Sequence, residues 1–195
     1  MPVIELATVI RAPRERVFDL ARSIDAHRYT TGGTRERAVA GVTTGLIALD
    51  DEVTWEARHF GVRQRLTVRV TAFDRPKHFQ DIMISGAFKR MVHDHEFAEH
   101  PVGTLMRDRF DFASPLGLLG WMADWLFLEG YMRRFLVRRN TVLKQSAESM
   151  QGDNYLGQSR PSSEPRIARS MAGHEKSVSS SFNCGASNEQ TINHR

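Results

Sequence analysis

Cysteine is almost absent: Cys184 is the only one in 195 residues. A single thiol cannot close an internal disulfide, so a disulfide-stapled secreted module is excluded. Long apolar runs are missing too. The greasiest stretch, Leu116 to Leu128, is broken by Asp124 and falls short of the ~18 apolar residues that a membrane span requires. The opening MPVIELATVIRAP lacks a basic region followed by an apolar core and a small-residue cleavage site. No signal peptide is therefore expected, and a cytoplasmic location is the default. Charge of one sign is not in excess: 27 basic against 23 acidic residues leave +4. That mixed surface does not suit a polyanion, so no nucleic-acid partner is expected. There is no internal repeat. There is no Gly-rich phosphate loop, Gly-x-Ser-x-Gly elbow, Cys-x-x-Cys pair or His-Glu-x-x-His helix. These absences exclude the enzymes recognisable by those motifs, and no others.

What is present suffices for one domain. Hydrophobic residues make up 41% of the chain, and a domain of about 150 residues buries about 70% of its unfolded surface. Composition changes near residue 150. Residues 151–195 hold nine serines and few large apolar groups, too little to offset the entropy of ordering. The expected division is a folded domain over 1–149 and a disordered tail over 150–195.

Within the domain, Val3 to Ile10 is a β-branched run suited to a strand. Pro13 suits a first helical position. Val17, Leu20 and Ala21 then recur at helical spacing, and a second short helix or turn covers Ile24 to Tyr29, ended by Gly32-Gly33. From 36 to 113 the period is mostly 2. Val53, Trp55, Ala57 and His59 share one face. Val62, Gln64, Leu66, Val68, Val70 and Ala72 alternate against Arg63, Arg65, Thr67, Arg69 and Thr71, which marks a half-buried antiparallel strand. Further strands are expected at about 78–85, 87–98 and 103–113. Ser114-Pro115 opens a long helical pattern from Leu116 to about Ser149. Leu118, Trp121, Met122, Trp125, Leu128, Met132, Leu136 and Leu143 form its apolar stripe. The fold class is α+β.

This order, with "IRAPRERVFDLA" and "PLGLLGWMADWLFLEGYMRRFLVRRN", resembles the helix-grip (START-like, SRPBCC) superfamily, and within it small bacterial polyketide cyclase/dehydrase-like ligand-binding members. The likeness rests on Ala12-Pro13-Arg14-Glu15-Arg16-Val17-Phe18, on Gly86-Ala87-Phe88, on His93-Asp94-His95-Glu96-Phe97, and on the run from Gly103-Thr104-Leu105-Met106 to Gly117. It spans residues 1 to about 148. It implies a curved antiparallel sheet of six to seven strands around the C-terminal helix, with a cavity between them. It does not fix a function, because the fold hosts carriers, sensors and cyclases.

The polar residues on the apolar strand faces are the informative ones. Met91, His93, His95 and Phe97 share a face. So do Thr104, Met106, Asp108, Phe110 and Phe112. If Phe97 lies opposite Met106, His95 lies opposite Asp108, with Cβ atoms about 5 Å apart. A slip of two residues pairs His93 with Asp108 instead. Such a pair is either a cavity acid/base, with His95 and Asp108 as catalytic candidates, or a buried pair that satisfies itself, the commoner case. Asp81 shares a face with Phe79 and Met83 and could join it. A zinc set of His93, His95 and Asp108 is conceivable, but without cysteine and among greasy neighbours no metal is expected. No cofactor is implied.

The expected ligand-binding set is Trp55, Val68, Met91, His93, His95, Phe97, Asp108, Phe110, Trp121, Trp125 and Met132, around a hydrophobic or aromatic small molecule or lipid. A cyclase or dehydratase using a cavity histidine, and a regulatory protein-interaction module, are the alternatives. Arg139 falls inside the helix stripe, where a charge needs a partner or a ligand acid group; an arginine snorkelling to the surface is the preferred reading. Arg63, Arg65 and Arg69 are read as cross-strand partners of Glu52 and Glu56. Leu126, Phe127 and Tyr131 lie off the stripe, where a homodimer contact, a membrane-touching patch or a covering loop would suit them. No stable membrane insertion is expected.

Overall fold

The computed structural model describes residues 2–59, 61–114 and 127–157. The described residues form seven strands: β1 Val3–Ile10, β2 Arg37–Gly41, β3 Glu52–His59, β4 Val62–Asp74, β5 His78–Ser85, β6 Arg90–His100 and β7 Gly103–Ala113. They form one antiparallel sheet in the order β1-β7-β6-β5-β4-β3-β2. Strands β2 to β7 thus run as a meander, and β1 closes onto the last of them. Register shifts interrupt the β2–β3 and β4–β5 ladders. Such bulges bend a strand and raise its twist, which lets a broad sheet curve. The alternation read from β4 is paired as expected: Arg65 faces Glu56 and Arg69 faces Glu52. Glu56 accepts from Arg37 at 2.6 Å and from Arg65 at 3.1 Å, so the arginine row is balanced by carboxylates on the same face.

Between β1 and β2 lie two short helices, α1 Arg14–Ala21 and α2 Ile24–Thr30. Pro13 sits one position earlier than expected, at the cap of α1, where its carbonyl accepts the N–H of Val17 at 3.1 Å. Ser23 caps α2 by accepting the Ala26 N–H at 3.2 Å, which satisfies one of the orphan donors of a helix start. A 3₁₀ turn, Gly32–Thr34, follows.

The C-terminal helix α3 covers Glu129–Ala147. Met132, Leu136, Arg139, Asn140, Leu143 and Ala147 are buried along it, a stripe at i, i+4, i+7, i+8, i+11 and i+15. The expected start at Leu116, with Trp121 and Trp125, lies outside the described residues. The folded part continues past the expected boundary at 149, through a 3₁₀ turn Met150–Gly152 and a short helix α4 Asp153–Leu156. Arg16 fastens this turn, donating to Ala147 O at 2.9 Å and Ser149 O at 2.7 Å and pairing with Asp153. Ser23 Oγ donates to Tyr155 O at 3.2 Å. The remainder of the expected tail, after 157, lies outside the described residues.

Two apolar clusters separate along the sheet. One joins Ile10, Val17, Phe18, Leu20, Phe79, Phe97, Met106 and Leu143. Phe18 is its hub, with ring centroids 5.4, 5.5 and 5.2 Å from Phe73, Phe79 and Phe97, all edge-on. Edge-on pairs add about 0.5–1.5 kcal/mol each beyond the area they bury. The other cluster joins Ile4, Ile24, Val53, Trp55, Val68, Val70, Met91, Phe110, Phe112, Met132 and Leu136. This second cluster surrounds a hollow.

Candidate functional site

The hollow is a cavity of about 260 Å³. Val53, Trp55, Ala57 and His59 of β3 line it, as do Leu66 and Val68 of β4, Met91 of β6, Phe110 of β7, and Met132 and Leu136 of α3. The alternation of these strands explains the wall, since every second residue on each points the same way. Of the residues expected to line a cavity, Trp55, Val68, Met91, His93, His95, Phe110 and Met132 do so. Phe97 does not. It packs on Phe18 in the solid cluster, because β6 runs on beyond the hollow to where α1 covers it. Asp108 is also not a lining residue; it lies behind the two histidines.

The polar end of the cavity is built on three adjacent strands. Asp81 of β5 faces His93 of β6, and His95 of β6 faces Asp108 of β7. The second of these is the register expected. Asp108 is 1% exposed and is the hub. Its Oδ1 accepts from His93 Nε2 at 3.2 Å and lies 2.8 Å from His95 Nδ1, off the line of a good hydrogen bond. Its Oδ2 accepts from Asn140 Nδ2 at 2.7 Å. His95 Nε2 donates to Asp81 Oδ1 at 3.3 Å. Arg139 corrects an expectation. It does not reach the surface; it is 4% exposed, with Nη1 3.7 Å from Asp108 Oδ1 and Nη2 donating to Ala21 O at 3.4 Å. A guanidinium held in the stripe must find a carboxylate, and Asp108 is the one in reach.

The charges follow from these contacts. Burial alone would raise Asp108, but the hydrogen bonds from His93 and His95 outweigh it and hold the carboxyl well below its ordinary value. Burial works against protonation of His95, yet its contacts with Asp108 and Asp81 prevail and raise it. His93 loses the same contest. Burial and the adjacent His95 charge lower it to about 4, and Asp108 recovers only part. The two rings are only 3.8 Å apart, centroid to centroid, so two positive charges there repel strongly. Of the two rings, His95 is therefore the one that favours the imidazolium form, between two carboxylates, and His93 is neutral with its proton on Nε2 and one free lone pair. Arg139 balances one carboxylate permanently, and a proton on His95 balances the other.

A second polar spot went unread in the sequence. His27, stacked on Trp55 with centroids 4.1 Å apart, and Glu36 both line the cavity. His27 Nε2 and Glu36 Oε2 stand 3.4 Å apart, and neither of these two atoms has a hydrogen-bond partner among the described residues. Burial pushes the Glu36 carboxyl up, but the His27 charge outweighs it and leaves it below its ordinary value. Nearby, His59 Nδ1 meets the Tyr131 hydroxyl at 2.7 Å. The alternation of β3 puts His59 on the correct face. Glu36 immediately precedes β2 and His27 lies on the short helix α2, and neither stretch is long enough for period to mark a cavity-facing residue.

No family model matches the chain, and no curated protein matches it. Solved structures do. Protein TTHA0849 of Thermus thermophilus aligns with a TM-score of 0.62 at 17% identity, over 74% of this chain and 95% of that one. Protein CV1439 of Chromobacterium violaceum aligns at 0.60 and 14% identity, over 76% and 99%. Major latex-like protein 151 of Panax ginseng aligns at 0.57 and 13% identity, over 75% and 97%. The fold is helix-grip. At these identities the likeness extends to the fold and not to the site. Among the described residues no helix is long and apolar enough to cross a membrane.

Proposed function

We propose that this helix-grip protein binds a small hydrophobic or aromatic molecule, or a compact lipid, inside its cavity, as a START-like, polyketide cyclase-like ligand carrier or sensor. The observation that carries the reading is the cavity itself: apolar walls around about 260 Å³, with a few polar groups, among them the paired His27 and Glu36, in its lining. Pockets of this kind, mostly apolar with a few polar groups, are the usual form of small-molecule sites. His59 and His93, which also line the wall, are the polar groups a ligand hydroxyl or amide would meet. The volume lies just under the ~300–1,000 Å³ usual for small-molecule pockets, which favours a compact ring system over a long acyl chain.

The second reading is an acid/base enzyme of the cyclase or dehydratase kind. It draws support from His93, which lines the cavity with Asp108 behind it. A pKa near 4 makes His93 a weak base at neutral pH, and His95 is held between two carboxylates. Binding is the better-supported function. Native mass spectrometry of freshly purified protein, followed by titration with a fluorescent flavonoid or fatty-acid analogue, tests it. One small molecule per chain, displaced by the analogue, is the expected result. A ligand-free protein that takes up neither analogue would overturn it. Turnover that His93→Gln abolishes while binding persists would establish the enzyme reading instead.

A further inference from the structure

Asp81, His93 and His95 each offer one donor atom, and these atoms lie within 4.8 Å of one another. All three residues line the cavity. We propose that they form a two-histidine, one-carboxylate site for a divalent transition-metal ion, open to the cavity on its remaining face.

Geometry supports this. Zinc binds imidazole nitrogen and carboxylate oxygen at about 2.0–2.2 Å, so two ligands of a tetrahedral ion stand about 3.4 Å apart. His95 Nε2 and Asp81 Oδ1 are 3.3 Å apart, long for a hydrogen bond to an imidazolium and fitted to a shared ion. The widest gap in the set exceeds the tetrahedral spacing by at most about 1.4 Å, within reach of side-chain rotation. Strand pairing holds the donors from below: Asp81 is opposite His93, and His95 is two residues further along the same strand.

The surroundings have the form that metal-binding histidines require. Their non-ligating nitrogens are bonded to a carboxylate or carbonyl that fixes ring and tautomer. Asp108 does this for His93 through Nε2, stands 2.8 Å from His95 Nδ1 where a small ring rotation would align the same bond, and is itself fixed by Asn140. The ion takes the place of the proton that His95 shares with Asp81. Among the described residues, the titratable and charged groups facing the site are Asp81 from β5, His93 and His95 from β6, Asp108 from β7 and Arg139 from α3. With neutral imidazoles the set sums to one negative charge, which favours a cation. Two imidazoles and a carboxylate, with no thiolate, select zinc, ferrous or cobaltous ions over calcium or magnesium. The open position gives an oxygen-bearing cavity ligand a direct bond to the ion.

Isothermal titration of chelator-treated protein with Zn²⁺, and the ligand-field spectrum of its Co²⁺ form, test the site. One ion per chain is expected, and a Co²⁺ spectrum with four- or five-coordinate intensity. The near-isosteric Asp81→Asn should weaken zinc at least tenfold with near-ultraviolet circular dichroism unchanged, and Asp108→Asn should weaken it 10- to 100-fold. His78→Ala, at the outer His78–Asp94 pair, should leave binding intact. Absence of binding at millimolar zinc would overturn the proposal. So would binding that survives Asp81→Asn and disappears in His78→Ala.

Discussion

Replacing Asp108 by asparagine removes one charge and little volume from the most buried acid of the fold. In the metal-free protein the change strands the Arg139 guanidinium and removes one of the two carboxylates that favour a proton on His95, leaving Asp81. An exposed ion pair would lose about 0–1 kcal/mol. Asp108 is 1% exposed and Arg139 is 4% exposed, so the applicable range is the ~3–5 kcal/mol found when one partner of a buried pair is deleted. His95 relaxes by releasing its proton, whereas Arg139 cannot, which places the loss near the lower end, about 3 kcal/mol. For a domain of this size each kcal/mol shifts Tm by about 2–4 °C, so a fall of about 6–12 °C is expected. Thermal unfolding and urea titration at pH 7, with chelator present, measure it. Arg139→Met should destabilise the wild type and cost less in the Asp108→Asn background, since its partner is then already gone. A Tm change below about 2 °C, or strict additivity of the two substitutions, would refute the buried-network account.

Three further outcomes are expected. Ala57→Phe, which pushes a ring into the cavity, should abolish uptake of the fluorescent analogue and lower stability by about 1–3 kcal/mol through overpacking; unchanged uptake would place the binding site elsewhere. In chelator, stability should peak near pH 6.5. His93 is lowered from 6.5 to about 4, so between those values the unfolded chain takes up a proton that the fold refuses, and about 3 kcal/mol is lost on acidification. His95, held high, stabilises the fold below 6.5 and loses that contribution as pH rises through its raised value; a His93→Phe variant should lose the acid-side slope in denaturant titrations. Gly103→Ala should destabilise by about 2 kcal/mol or more in thermal melts through backbone strain, because φ is +142° there and a Cβ would meet Ile10 O at 2.3 Å.

Much of this arrangement is legible in the sequence. Period-2 alternation assigns side chains to a face, and a face-to-face match of Phe97 with Met106 sets His95 against Asp108. What alternation does not carry is position along the strand. Phe97 shares a face with His93 and His95, yet α1 covers that stretch of sheet, so the residue packs on Phe18 and not in the cavity. Arg139 is misread for a related reason. A polar residue in a helix stripe is read correctly only if its partner is known, and Asp108 comes from a strand 31 residues earlier. Asn140 sits in the same stripe, four residues after Leu136, and its burial is open to the same periodic reading. Glu36 stands one residue before the five-residue β2 and His27 lies in the seven-residue α2, both too short for sequence period to assign a face.

The separation of the two apolar clusters has a consequence for motion and for change. A hollow forgoes the dispersion contacts that a filled interior would make, so the Phe18 cluster must act as ballast for the cavity half. Transient openings of the interior belong to that lighter half, where fewer packed contacts resist them. Hydrogen exchange should therefore be slowest around α1 and the Phe79–Phe97 ends of β5 and β6, and faster around the Trp55 end of β3. Substitutions in the cavity wall can accumulate residue by residue while the ballast keeps the molecule folded.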